Sequence, residues 1–194
     1  MSDKSFVHLH NHSEYSMLDG AARIKQLVAK AAELEMPAIA ITDHGNSHGA
    51  YEFWKQANAH GVKPVIGIEA YLAPGSRTDK TRVRWGDGGG DDVSGGGAYS
   101  HLTMWSTDNA SMQNLFRLSS EAYLSGYYFK PRMDRELLSK YGKGLIATTG
   151  CPGGEVQTRL RLGQYQEALD TASEFRDIFG AGNYEGIKLH SRDW

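Results

Sequence analysis

The chain has 194 residues, a hydrophobic fraction of 40%, a charged fraction of 23% and a formal net charge of −2. These values are typical of one soluble globular domain or part of a larger protein, and they exclude a chain-wide basic surface for nucleic acid. The single cysteine, Cys151, excludes an internal disulfide framework and favours a reducing, cytoplasmic location. The sequence has no apolar run long enough to span a membrane and no secretion signal at its N-terminus, so no membrane partner is expected.

Predicted strands alternate with predicted helices along the chain. Strands are predicted at residues 6–12, 37–42, within 62–73, 99–105 and 145–149, and helices at 21–34, 49–59, 109–124 and 155–179, the last with a break near Gly163. The run 37–42 is continuously apolar, as is typical of a strand buried on both faces of a parallel sheet. Repeated strand–helix units predict an α/β fold of parallel strands joined by right-handed crossovers.

Three histidines alternate in the first predicted strand. His8, His10 and His12 share one face if the segment is a strand, because successive side chains of a strand point to opposite faces. Neutral imidazole is the commonest protein ligand for a transition metal, so we interpret the alternation as a metal-binding pattern. The alternative is a solvated edge strand that carries histidines.

Further metal-capable residues follow the first predicted strand or lie in and after the later ones. They are Asp19, His44, Glu69, His101 and Cys151. In a barrel of alternating strands and helices the carboxyl ends of the strands meet at one face, where active sites form. The mixture of imidazole, carboxylate and thiolate suits zinc, manganese or iron better than calcium, and it exceeds one tetrahedral zinc site. We therefore expect two or more metals that activate a water and neutralise a phosphate.

Each of these residues also has a purely structural interpretation. Asp19 precedes a helix and can be its N-cap, and His44 can be a satisfied core histidine. Glu69 interrupts an apolar strand, and a carboxylate buried there must be paired or metal-bound. His101 can be an ordinary strand histidine and Cys151 a buried structural thiol.

A basic cluster lies at residues 77–84. It consists of Arg77, Lys80, Arg82 and Arg84. Such a cluster either follows the backbone of a nucleic acid or forms a solvated loop.

Several motifs occur at the metal-capable positions. They are His8-Leu9-His10-Asn11-His12-Ser13, Thr42-Asp43-His44-Gly45 and Gly67-Ile68-Glu69-Ala70. Together they resemble the polymerase and histidinol phosphatase (PHP) domain. The further motifs Thr149-Gly150-Cys151-Pro152 and 157–163 resemble that domain as it occurs at the N-terminus of bacterial DNA polymerase III alpha subunits.

The resemblance implies an α/β fold, a distorted (β/α)7 barrel of parallel strands with a metal cluster at the strand ends. By the same resemblance two or three zinc, manganese or iron ions are held by His10, His12, Asp19, His44, Glu69, His101 and Cys151. Asp19, His44 and Glu69 are then the expected catalytic residues. The implied activity is metal-dependent 3′–5′ exonuclease proofreading in DNA replication, with DNA and other polymerase III holoenzyme subunits as partners. The alternatives are a non-catalytic, metal-stabilised platform for partner proteins and a PHP-type phosphoesterase.

The sequence departs from the resemblance near its end. We expect a PHP domain over residues 1–184 and a divergent tail over 185–194. The last ligands of the family, an aspartate and a histidine, are expected to lie beyond this point, as is every polymerase carboxylate. The barrel is therefore expected to be incomplete at its C-terminus.

Overall fold

The computed structural model describes residues 6–87 and 93–180 of the chain. The chain divides into two compact units, Met1–Ile68 and Glu69–Trp194. The predicted domain end at residue 184 and the predicted tail 185–194 lie outside the described residues. Among the helices of the described ranges, none combines the length and apolar character needed to cross a bilayer.

Within residues 6–68, the first unit contains two α-helices and one parallel strand pair. A 3₁₀ turn at Glu14–Ser16 precedes α1 (Ile24–Glu33), β1 (Ala38–Ile41), α2 (Ala50–Ala59) and the start of β2 (Lys63–Leu72). β1 and β2 are parallel, in register from Ala38 opposite Lys63 to Ile41 opposite Ile66. All four residues of β1 are buried, which confirms the strand predicted from the apolar run 37–42. α1 buries a stripe of Ile24, Val28 and Ala31, the spacing that its sequence predicts.

The strand predicted at residues 6–12 is wrong, because the structure assigns no strand there. The segment does run beside β1, since the carbonyls of His8 and Asn11 accept bonds from the amides of Ala40 and Thr42, both at 2.9 Å. The Asn11 side-chain amide, however, donates to the carbonyls of Ala40 and His8, both at 3.1 Å. A side chain thus takes the place of a ladder bond, as polar residues near the backbone often do.

The second unit continues β2 and adds the remaining elements. They are α3 (Ser94–Gly97), β3 (Ser100–Ser106), α4 (Asn109–Ser125), β4 (Tyr127–Tyr128), β5 (Lys130–Met133), α5 (Arg135–Tyr141), β6 (Leu145–Ala147), α6 (Glu155–Arg161) and α7 (Tyr165–Phe179). The sheet order in the described residues is β4-β5-β2-β3-β6. Gly163, with φ +73°, separates α6 from α7 and confirms the predicted helix break.

Strand directions in the second unit are mixed, and the α/β class with parallel pairing is confirmed. β2 and β5 are parallel, whereas β4–β5 and β3–β6 are antiparallel. The β4–β5 hairpin, which the sequence patterns did not predict, reverses the chain direction between α4 and α5.

The buried side chain of Arg132 is hydrogen-bonded to the loop that follows β2. Arg132, in β5, is fully buried and donates to the carbonyls of Arg77 at 2.9 Å and Asp79 at 2.8 Å. Its other donors reach the carbonyls of Ala98 and Gly126, at 3.0 and 3.1 Å. A buried guanidinium needs such acceptors, and here all four are backbone carbonyls. The basic segment 77–84 is therefore anchored at its start to the sheet.

Candidate metal centre

In the first unit a buried carboxylate organises the histidine-rich turn. Asp43 follows β1 and is 1% exposed. One of its oxygens accepts the Ser13 amide at 2.6 Å and the Ser16 hydroxyl at 3.1 Å, and the other accepts the Ser13 hydroxyl at 2.7 Å. A carboxylate this deeply buried requires several donors. Three donors from one turn therefore fix residues 13–16 against the end of β1.

The Ser16 hydroxyl, bound to Asp43, also contacts two histidines. It lies 3.2 Å from the His12 Nδ1 and accepts the His44 backbone amide at 3.0 Å. Because its one proton is donated to Asp43, the His12 Nδ1 carries the proton in the contact with Ser16. The lone pair of neutral His12 is then on Nε2, the tautomer in which a histidine binds a metal through that atom.

Three imidazoles of the first unit lie close together. The His12 and His44 rings stack with centroids 4.3 Å apart, and the His10 and His12 rings are 5.0 Å apart at 66°. The His44 Nε2 lies 3.0 Å from Asp19 Oδ2. The structure thus brings together His10, His12, Asp19 and His44, which we call the histidine cluster. The Asp19 side chain is its exposed member, at 59%, against 11% for His44.

In the second unit three donors of different chemistry meet. Glu69 of β2 is 1% exposed, and its Oε1 lies 2.9 Å from the Nδ1 of His101, in β3. The same Nδ1 lies 3.2 Å from the Sγ of Cys151, which follows β6. We call Glu69, His101 and Cys151 the mixed cluster. A carboxylate, an imidazole and a thiol within direct contact form a donor set suited to zinc and related transition metals.

The thiol of this cluster holds its proton firmly. Burial, followed by the nearby charge and hydrogen bond of Glu69, raises the pKa of Cys151 to about 12. A coordinated cation has the opposite effect and deprotonates a thiol outright. The three side chains therefore fit a cation, which would balance the charge that now disfavours the thiolate.

Tight packing around the mixed cluster comes from the turn after Cys151 and from two tyrosines. A Cβ at Gly153 would lie 2.7 Å from Ser94 Oγ and 3.3 Å from His101 Nδ1, so a side chain at this position would have to displace Ser94 and would press on the imidazole. The Tyr71 ring meets the His101 ring edge-on at 5.5 Å, and the Tyr99 ring stacks on it at 5.9 Å. The imidazole orientation is thereby set on three sides.

Several residues of these clusters were not identified from the sequence. Ser13 ends the His8–Ser13 motif and Ser16 follows it, but nothing in the motif indicates that they bind Asp43. Asp43 occurs in the Thr42–Gly45 motif, and in the structure it contacts Ser16, whose hydroxyl lies 3.2 Å from the His12 Nδ1. Tyr71 and Gly153 carry no signal in the sequence, because their role depends on contacts with distant residues.

Comparison with known proteins gives the family. The PHP domain model matches residues 8–190. The DNA polymerase III subunit alpha of Saccharopolyspora erythraea is 59% identical over 188 residues, covering 92% of this chain and 16% of that protein. The corresponding subunit of Mycobacterium leprae is 57% identical over 187 residues, covering 95% and 16%. The chain thus spans about 16% of the length of these relatives.

Among solved structures, an amidohydrolase from Chromobacterium violaceum aligns with a TM-score of 0.45 and 15% identity, covering 89% of this chain and 82% of that chain. The match of the PHP model extends over nearly the whole chain and includes every residue of the histidine cluster and of the mixed cluster. The chain therefore belongs to the PHP domain family.

Proposed function

We propose that this chain is the PHP domain of a replicative DNA polymerase III alpha subunit and that it hydrolyses phosphodiester bonds at the 3′ end of DNA. The identity to two curated alpha subunits, 59% and 57%, supports the assignment to that subunit. The mixed cluster carries the chemical part of the proposal. A buried glutamate in contact with an imidazole and a thiol is costly to maintain unless it is used.

Both clusters are proposed to hold divalent metal. The ligands are His10, His12, Asp19 and His44 in the histidine cluster and Glu69, His101 and Cys151 in the mixed cluster. Zinc and manganese suit this donor set best, with iron as a third candidate, in two or three ions. When bound, such ions activate a water at neutral pH and neutralise the phosphate that it attacks.

The side chains of the histidine cluster have distinct tasks in this proposal. Asp43, acting through Ser16, holds the proton of His12 on Nδ1 and so directs Nε2 toward the metal. His44 orients the exposed Asp19 through its Nε2, 3.0 Å from the carboxylate. Asp19 is the member that reaches solvent, so it is placed to meet the scissile phosphate and its water.

In the mixed cluster, Glu69 is the catalytic candidate because it contacts both other donors. It accepts the proton of His101 Nδ1 and disfavours the Cys151 thiolate. Burial excludes bulk water from this carboxylate, which strengthens every electrostatic interaction that it makes. The partners implied by this function are DNA and the other subunits of the polymerase III holoenzyme.

The proposal is tested by metal content and by release of a mismatched 3′ nucleotide from labelled DNA. Wild type is compared with His10→Ala and Glu69→Ala, and with His60→Ala as a matched control, since His60 is exposed at the end of α2. We expect at least two metals per chain, cleavage lost in the first two variants and retained in the third. Metal without cleavage would favour the non-catalytic platform, and turnover of phosphate monoesters without DNA cleavage would favour a phosphoesterase. A chain that binds no metal refutes the ligand assignment.

A further inference from the structure

An aromatic residue occupies the tip of the β4–β5 hairpin. Tyr128 pairs with Lys130, so Phe129 alone makes the turn. Its side chain is 55% exposed and its backbone has φ +61°. The ring adds little to the core, and the backbone is in a region that glycine adopts without strain and a bulky residue does not. Such strain at an exposed tip is typical of a functional position.

The Phe129 ring is accompanied by positive charge. The Arg82 guanidinium lies over it, 4.8 Å from the centroid, and Arg82 is itself exposed. Residues 77–85 contain four basic side chains and one acidic side chain, Asp79. Within that segment Arg77 is neutralised by Asp134 at 3.0 Å. Arg82, in contrast, lies at the hairpin tip, over the Phe129 ring.

A second cation continues from the tip toward the mixed cluster. Lys130, the residue after Phe129, places its Nζ 5.4 Å from the centroid of the Tyr71 ring. The Tyr71 ring in turn meets the His101 ring at 5.5 Å. Phe129 is thus connected, through its chain neighbour Lys130 and the Tyr71 ring, to the imidazole that touches Glu69 and Cys151.

We propose that Arg82, Phe129 and Lys130 form a binding site for single-stranded nucleic acid, which we call the Phe129 platform. A nucleobase stacks on the Phe129 ring, and the adjoining phosphates contact Arg82 and Lys130. The role as a substrate subsite rests on the proposed hydrolysis at the mixed cluster, toward which the strand is led. An exposed ring beside cations matches unpaired bases, because every base has a π-face and a single strand leaves it accessible. A duplex keeps those faces stacked in its interior, except at its two ends.

The test measures binding of a fluorescein-labelled oligothymidine with a non-hydrolysable phosphorothioate 3′ end to the metal-loaded chain. Fluorescence anisotropy gives the affinity, at several salt concentrations. The variants are Phe129→Leu, which keeps apolar bulk, Phe129→Tyr, which keeps the ring, and Phe129→Gly, which relieves the backbone strain. Tyr165→Leu is the control, since Tyr165 is an aromatic residue 69% exposed on α7.

We expect Phe129→Leu and Phe129→Gly to weaken binding by about tenfold, with Phe129→Tyr and Tyr165→Leu close to wild type. Phe129→Gly should unfold at the same temperature as wild type or higher, which separates loss of the ring from loss of the fold. Arg82→Gln and Lys130→Gln should each reduce the slope of log affinity against log salt by about 0.7, the loss of one phosphate contact.

Wild-type affinity in Phe129→Leu, or equal affinity of wild type for a blunt duplex, would overturn the proposal. Absence of any binding by wild type would do the same. The proposed hydrolysis is judged separately, on a cleavable strand. If wild type cleaves while Phe129→Leu binds normally, the platform is wrong and the hydrolysis stands. If wild type binds through Phe129 but does not cleave, the platform stands as a nucleic-acid site and the hydrolysis is wrong.

Discussion

The substitution Ser16→Ala removes one atom and three contacts of the histidine cluster. The hydroxyl donates to Asp43 at 3.1 Å, accepts the His44 amide at 3.0 Å and contacts the His12 Nδ1 at 3.2 Å. Ser16 is buried, so water does not readily take its place. The variant therefore tests whether the Ser16 hydroxyl, which is bound to Asp43, fixes the positions of His12 and His44.

Two terms set the size of the effect on stability. A hydrogen bond to a charged group contributes about 1.5–3 kcal/mol, and a buried amide left without an acceptor costs about 1–3 kcal/mol. Asp43 keeps both donors from Ser13, at 2.6 and 2.7 Å, which limits the first term. We expect a loss of about 2–4 kcal/mol in the free energy of unfolding. Since the His12 tautomer is no longer held, metal affinity should fall by about 10- to 100-fold.

The assay is urea unfolding of the metal-free chain, followed by titration with zinc and manganese. Ser139→Ala is the matched control, because the Ser139 hydroxyl is exposed and donates one bond, to the Arg135 carbonyl at 2.8 Å. The control should change stability by less than about 0.5 kcal/mol and leave metal affinity unchanged. If Ser16→Ala behaves like Ser139→Ala in both measurements, the hydroxyl does not organise the cluster and the tautomer argument fails.

Three further substitutions test other parts of the structure. In the metal-free chain, the thiol pKa of about 12 should make Cys151 resist alkylation by iodoacetamide at pH 8. Glu69→Gln should speed alkylation, because it removes a charge that disfavours the thiolate. Equal alkylation rates in the two chains would show that Glu69 does not raise the pKa of Cys151. Arg135→Met should lower the free energy of unfolding by about 3 kcal/mol, because the buried Glu155 loses its arginine partner at 2.8 Å and keeps the more distant Arg159, at 3.7 Å. Glu174→Gln, at the exposed end of the network, should cost under about 1 kcal/mol in the same urea titration. Gly20→Ala should prevent stable folding, as measured by circular dichroism, because its Cβ would lie 1.8 Å from the Ser13 carbonyl oxygen. Gly163→Ala has open space around it and should lower the free energy of unfolding by only about 1–2 kcal/mol, for its positive φ. Similar effects of the two substitutions would contradict the close approach at Gly20.

The elements that the sequence predicted well are those with a strong local pattern. The apolar run of β1 and the helical stripe of α1 are recorded in consecutive residues, and both elements are where they were expected. The strand at 6–12 failed because Asn11 competes for the β1 backbone, a contact across 29 residues that no local pattern records. As a result the three alternating histidines are not equivalent. The His8 ring packs on Phe6 at 4.7 Å, while His10 and His12 lie together.

The hairpin and the packing around the clusters were beyond the reach of such patterns. β4 has two residues, too few to show a period, and the turn residue Phe129 is the opposite of what turn chemistry predicts. The contact of Ser16 with Asp43 joins residues 27 apart, and that of His101 with Cys151 joins residues 50 apart. Residue type indicated which side chains are candidate metal ligands, but only the tertiary structure shows what orients them.

In the mixed cluster, binding of the proposed cation is coupled to the release of protons. In the metal-free chain the protons of the His101 Nδ1 and the Cys151 thiol both face the buried Glu69 carboxylate. The same three side chains are the proposed ligands, so a bound cation would replace protons that Glu69 now attracts. A ligand thiol must lose its proton, and binding therefore releases protons and strengthens as pH rises. In the metal-free chain the Glu69 carboxylate, 1% exposed, accepts hydrogen bonds from two neutral donors, and the proposed cation would neutralise its charge; each state gives this buried acid the partners that burial requires.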